Sequence, residues 1–145
     1  MARTKPPKVT LEDVLEHVPM FRGLSKRQLR HVAGLCDVAD YMADHSIVRQ
    51  GDPGESFYVV LEGQAKVTVG RRFVSRMLPG DHFGEIALLD GGPRTATVTS
   101  ETPMTLAILQ RPEFTKALRA DGDLAYAIAR ELAMMFRRLS NSANQ

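Results

Sequence analysis

Residues 83–98 read FGEIALLDGGPRTATV. A glycine and an acid stand together at Gly84–Glu85, a short run of helix formers follows, Gly91–Gly92–Pro93 signals a turn, and Arg94 opens a Thr/Val-rich exit. A helical turn beginning at Gly84–Glu85 points free backbone N–H groups outward, and such amides bind anions. Glycine lets backbone approach a ligand closely. Arg94 can return a guanidinium to the same place, and its planar fork matches a phosphate. Glu85 beside an anion is unfavourable unless it has a donor of its own, and a sugar hydroxyl is such a donor. The stretch asks for a ligand that carries a phosphate next to a free hydroxyl.

The surroundings read as β-structure. Short apolar and β-branched runs, IVR (47–49), SFYVVL (56–61), AKVTV (65–69), RFVSRML (72–78), TATVTS (95–100) and MTLAIL (104–109), alternate with turns such as GDPG (51–54), PG (79–80) and GGP (91–93). That spacing is near the roughly 8–12 residues expected of a sandwich or small barrel. Ala65, Val67 and Val69 share one face, as in a half-buried antiparallel strand.

Both ends read as helix. Thr10, with Asp13 three residues on, resembles a capping box before Leu11, Val14, Leu15 and Val18, and Pro19 ends that helix. Ser25 and Gln28 repeat the pattern, with Leu24 and Leu29 at staple positions and Leu29, Val32, Ala33, Leu35 and Cys36 as the inward face. Cys36 is expected mid-helix, as a small core residue rather than a reactive thiol. Near the other end, Pro112 is placed to begin a helix, DGD (121–123) to break it, and Asp123 to cap the next. That last helix carries an apolar stripe through Leu124, Ala127, Ile128, Leu132, Met135, Phe136 and Leu139. The expected fold is α+β: an antiparallel jelly-roll-like barrel flanked by two N-terminal and two C-terminal helices. It forms one domain over 11–140, between a basic tail (1–10) and a polar, frayed tail (141–145).

Composition excludes several classes. The 145 residues are enough to bury a core without disulfides or metals, and a hydrophobic fraction of 43% supplies it. Net charge is only +2, and the basic residues are scattered rather than gathered into a stripe, so nucleic acid is not an expected partner. No apolar run approaches the roughly 20 residues that span a bilayer. The basic N-terminus lacks the apolar segment of a secretory signal, so the expected location is the cytoplasm and no membrane partner is expected. The single cysteine rules out an internal disulfide and a cysteine metal cluster. His17, His31, His45 and His82 are unpaired in sequence, and His82 near Glu85 is too little for a site of three or four ligands. No serine or cysteine shows a nucleophile signature. The reading is of a receptor and not an enzyme, with no metal and no cofactor.

Taken together, FGEIALLDGGPRTATV resembles the phosphate-binding cassette of cyclic nucleotide-binding domains. QGDPGESFYVVLEGQAKVTV (50–69) resembles that family's glycine-punctuated hairpin. LEHVPMFRGLSKRQLRHVA and LAYAIARELAMMFRRL resemble its N-terminal helices and its C-terminal hinge and lid helices. The ADHS turn (43–46) departs from the family's usual Pro-Gly or Ala-Gly type, far from the cassette. The resemblance implies cyclic AMP or cyclic GMP as ligand. It implies that Arg94 binds the cyclic phosphate and that Glu85 accepts from the ribose 2′-OH. Backbone amides of Gly84, Glu85, Ile86, Ala87 and Ala96 complete the cradle beside Phe83. Thr95 serves either phosphate or the 2-amino group of a syn guanine. The lid helix caps the base through Leu132, Met135, Phe136, Arg130 or Arg137, or packs on the barrel, or forms a dimer seam. Ligand is expected to move that helix, and the output is an unknown protein effector or self-association through it. Two alternatives stand beside this: a scaffold of the same fold that binds no ligand, and the sensor part of a catabolite-activator-type DNA-binding regulator. The latter's helix-turn-helix module is not expected here, because the sequence ends soon after the lid helix.

Overall fold

The computed structural model describes residues 10–143, so the basic residues Arg3, Lys5 and Lys8 and the last two positions lie outside the described residues. Helix α1 (Leu11–His17) starts at Thr10, whose hydroxyl accepts from the Asp13 N–H, and a 3₁₀ turn, Pro19–Phe21, follows it. Helix α2 (Lys26–Gly34) carries both halves of the Ser25–Gln28 capping box. Cys36 lies just past α2 rather than within it, because the helix ends at Gly34. Its thiol donates to the Val32 carbonyl at 3.5 Å, and burial, reinforced by Asp37, pushes its pKa up to about 11. A thiol held protonated in this way is a poor nucleophile near neutral pH.

Eight strands form two antiparallel sheets. One has the order β1 (Asp37–Tyr41), β8 (Met104–Gln110), β3 (Ser56–Glu62), β6 (His82–Phe83). The other has the order β2 (Ser46–Val48), β7 (Thr97–Ser100), β4 (Ala65–Val69), β5 (Arg72–Met77). This is the expected jelly-roll-like α+β architecture, built as a two-sheet sandwich that does not close into a barrel. The physical reason is local. Beyond Phe83 the chain leaves its sheet to build the 84–96 segment, so that edge offers only a two-residue strand and nothing for β5 to close against.

Strand β1 escaped the sequence reading. Its DVADY sequence places Asp37 and Asp40 in an edge strand, where acidic residues are tolerated but propensity is low. Asp40 is anchored there by the Thr105 hydroxyl at 2.8 Å.

The central strands β3 and β8 are buried on both faces, which explains their nearly continuous apolar runs. Phe57, Val59, Ala107 and Leu109 face a helical core with Phe21 and Phe114. Val60, Leu106 and Ile108 face a second core between the sheets, with Val48, Val67 and Val98. Phe21 sits edge-on to both Phe57 and Phe114, at 6.1 and 5.9 Å.

Helix α4 (Arg111–Ala120) begins as expected at the proline. A single non-helical residue, Asp121, then separates it from α5 (Gly122–Ala143). Asp121 rather than Asp123 caps α5, since its carboxylate accepts from the Leu124 N–H at 3.1 Å. The helix also continues through residues 141–143, expected to fray. Its first half packs on α4 and the 3₁₀ turn through Leu124 and Ile128, while Met134, Phe136 and Leu139 are exposed. No helix among the described residues is long and apolar enough to cross a membrane.

Candidate functional site

The 84–96 segment joins the two sheets, leaving β6 at Phe83 and entering β7 at Thr97. At its centre is a one-turn helix, α3 (Ala87–Asp90). The regular helix starts three residues after Gly84, but the turn leading into it begins at Glu85, whose carbonyl accepts from the Leu88 N–H at 3.2 Å. Among the described residues no acceptor meets the amides of Gly84, Glu85, Ile86 and Ala87. The turn ends at Gly91, in the left-handed region at φ 64°, with its amide bonded to the Ala87 carbonyl.

Gly84 has φ 88°, and a Cβ there would fall on Nη1 of Arg94 and 2.7 Å from the Ser56 carbonyl. The glycine therefore makes room first for the arginine. Nη2 of Arg94 donates to the Ser56 carbonyl at 2.6 Å. The guanidinium also lies 5.7 Å from the centroid of Tyr58, whose ring stacks on Phe83 at 4.8 Å. Burial lowers the Arg94 pKa, against smaller opposite effects of Tyr58 and Glu55, but a guanidinium starts so high that it stays charged.

The backbone of Arg94 is held from both sides. Its N–H donates to the Asp52 carbonyl and its carbonyl accepts from Gly51, each at 2.8 Å, while Gly54 N–H donates to Gly92 at 2.9 Å. The GDPG turn, which reads as hairpin punctuation, is thus a splint for the arginine.

These residues border a cavity of about 620 Å³. Gly84, Glu85, Ile86, Ala87, Arg94, Thr95 and Ala96 line it with Phe83, and Val48, Val67, Met77 and Val98 form an apolar wall. One Glu85 oxygen, Oε2, is buried without a hydrogen-bond partner. The volume falls in the range that small-molecule sites occupy, and a polar end facing an apolar wall suits a ligand with a charged group and a flat apolar one. A cavity of about 570 Å³ between α1 and β5 shares only Met77 with it and contains none of the 83–96 residues.

The structure gathers the expected cassette residues but not the expected lid. Arg130, Leu132, Met135, Phe136 and Arg137 all lie on α5, and none of them lines the cavity. Leu132 and Met135 pack against the helical core, and Phe136 is 72% exposed. Ser56, Tyr58 and the apolar wall escaped the sequence reading, because strand pairing brings them to the site, Ser56 from 38 residues before Arg94, and no local pattern marks them as site residues. No group of three or more His, Cys, Asp or Glu side chains among the described residues could hold a metal ion.

The cyclic nucleotide-binding domain family matches residues 38–121. A cAMP-dependent protein kinase regulatory subunit of Schizosaccharomyces pombe is 37% identical over 108 residues, 74% of this chain and 26% of that protein. The counterpart from Eremothecium gossypii is 35% identical over the same length and 24% of its own. The chain thus spans about a quarter of the length of these curated relatives. Among solved structures, the N-terminal domain of a transcriptional regulator from Streptomyces coelicolor A3(2) superposes with a TM-score of 0.81 at 28% identity, over 89% of this chain and 96% of that one. Thermus thermophilus catabolite activator protein gives a TM-score of 0.65 at 26% identity, over 88% of this chain and 60% of its own. With the cassette geometry in place and the match extending over more than half of its length, the chain belongs to the cyclic nucleotide-binding domain family.

Proposed function

We propose that this domain is a non-catalytic receptor that binds cyclic AMP in the cavity beneath α3 and converts occupancy into movement of α5. The observation behind it is the pairing of a charged Arg94 with a buried, unpartnered Glu85 oxygen in one cavity. Arg94 and the open amides of Gly84–Ala87 take the cyclic phosphate, as charge-assisted hydrogen bonds favour. Glu85 accepts the 2′-OH, the one free ribose hydroxyl of a 3′,5′-cyclic nucleotide. The purine lies along Val48, Val67, Met77 and Val98. The choice of cyclic AMP follows the names of the kinase relatives. Thr95 lines the cavity and supports cyclic GMP as the second reading, through the guanine 2-amino group. No metal or cofactor takes part, and the readout is a protein effector or a second copy of the chain.

The test is a comparison of cyclic AMP with its 2′-deoxy analogue on wild type and Glu85→Ala. A hydrogen bond to a charged group is worth about 1.5–3 kcal/mol, so wild type should prefer cyclic AMP by roughly 10- to 150-fold. Glu85→Ala should bind both alike, because the partner of the hydroxyl is gone. A wild type indifferent to the 2′-OH would remove Glu85 from this role.

A further inference from the structure

Arg111 lies outside the 83–98 stretch and lines no part of the nucleotide cavity, yet it touches the far end of α3. Its Nη2 donates to the Leu89 carbonyl at 3.2 Å. The guanidinium lies over Gly91, where an added Cβ would stand 3.4 Å from Nε, Cζ and Nη1 alike. Nε is buried with no acceptor. The backbone N–H of the same residue donates to the Glu55 carbonyl at 2.8 Å, and Arg111 is the first residue of α4. One side chain and its own amide therefore join the end of α3, the strand segment beside Ser56, and the start of α4.

We infer that Arg111 is the positioning residue through which a shift of α3 reaches α4 and, across Asp121, α5. The inference rests on the cavity being a cyclic nucleotide site. α3 presents its N-terminal amides and Glu85 to the ligand, and its C-terminal carbonyls to Arg111. The bonds from Leu88 to Glu85 and from Gly91 to Ala87 make it a stiff single turn. A phosphate that draws residues 84–87 inward moves the Leu89 carbonyl with them.

The guanidinium must follow, because its planar fork offers donors in fixed directions. Leaving Nε buried and idle is costly, so a second position of α3 that brings a carbonyl to Nε is stabilised. Such a position, beside the observed one, supplies the second arrangement that a coupling element requires. The single non-helical residue between α4 and α5 then passes any tilt of α4 onward. Charge alone is not the agent. Lys116 and Arg119 share the outer cleft of α4 with Arg111, and neither hydrogen-bonds α3 among the described residues.

The test is hydrogen exchange on the full chain, with and without saturating cyclic AMP, for wild type, Arg111→Gln and Lys116→Gln. Affinity is measured in parallel. Arg111→Gln should exchange faster at 87–92 without ligand and should bind within about tenfold of wild type. It should lose the ligand-induced slowing across 124–139 that wild type shows. Lys116→Gln, which removes the same charge, should keep that slowing. If Arg111→Gln does not fold, Arg111→Lys, which keeps charge and stem but not the fork, replaces it. Transmission in the Arg111 variant equal to wild type overturns the proposal, and so does equal loss in Lys116→Gln. A wild type that binds but shows no response in α5 overturns the coupling alone. A wild type that binds no cyclic nucleotide overturns the functional reading and the coupling with it.

Discussion

Gly84 and Arg94 compete for the same few ångströms, and the glycine is what lets the arginine in. Alanine at Gly84 would place a methyl on Nη1 of Arg94, in a backbone with φ 88°. Strain of that kind costs about 1–3 kcal/mol, and the displaced guanidinium would also release the Ser56 carbonyl. Gly84→Ala should therefore lower stability in a denaturant titration and weaken cyclic nucleotide binding by roughly tenfold or more. Unchanged affinity would mean that Arg94 does not need its present position.

At this scale much was legible in the sequence. Gly84, Glu85 and Arg94 fall within eleven consecutive residues, about the span of one turn and its return, so local rules sufficed to group them. The anchors Ser56 and Tyr58 were not legible, because only the pairing of β3 with β6 and β8 carries them there. Asp44 is a smaller case. It adopts φ 62° where the family's turns carry glycine, and its amide donates to the Ser100 carbonyl at 2.7 Å. A short polar side chain tolerates that conformation better than most.

Helices show the same division between local and distant information. The capping box of α2 and the proline start of α4 follow from side chains within four residues, and both formed as their sequences required. The apolar stripe of α5 was equally visible, but a stripe does not say what it covers. Its first half is core, whereas Phe136 and Leu139 are 72% and 70% exposed. Exposed aromatic surface on a helix following a one-residue break is available to cover a ligand. Covering one such side chain is worth about 1.5–3 kcal/mol, enough to change a balanced equilibrium by roughly tenfold or more.

Phe136→Ala should leave the stability of the free chain within about 0.5 kcal/mol, since the ring has little to lose. It should weaken cyclic AMP binding by roughly tenfold if α5 closes over the purine. Equal affinity in the variant would assign the ring to another contact. Strands β1 and β6 mark where pattern failed at this scale, one because acids interrupt an edge strand, the other because two residues carry no period.

Across the whole molecule, two cores share one sheet. β3 and β8 carry helices on one face and, on the other, the second sheet, which supplies the apolar wall of the cavity. Sequence spacing was enough for a two-sheet β-domain between helices. It was not enough to distinguish a closed barrel from an open sandwich, since closure depends on which edges meet. The sandwich leaves room between the sheets for the 84–96 segment, and with it the proposed site. The measurement that bears most directly on this account is calorimetric titration of cyclic AMP into the wild-type chain and into Arg94→Ala. Saturable one-to-one binding to wild type is expected, weakened by roughly 10- to 150-fold in the variant. Absence of heat at millimolar cyclic AMP and cyclic GMP in wild type, or equal affinity in Arg94→Ala, would contradict it.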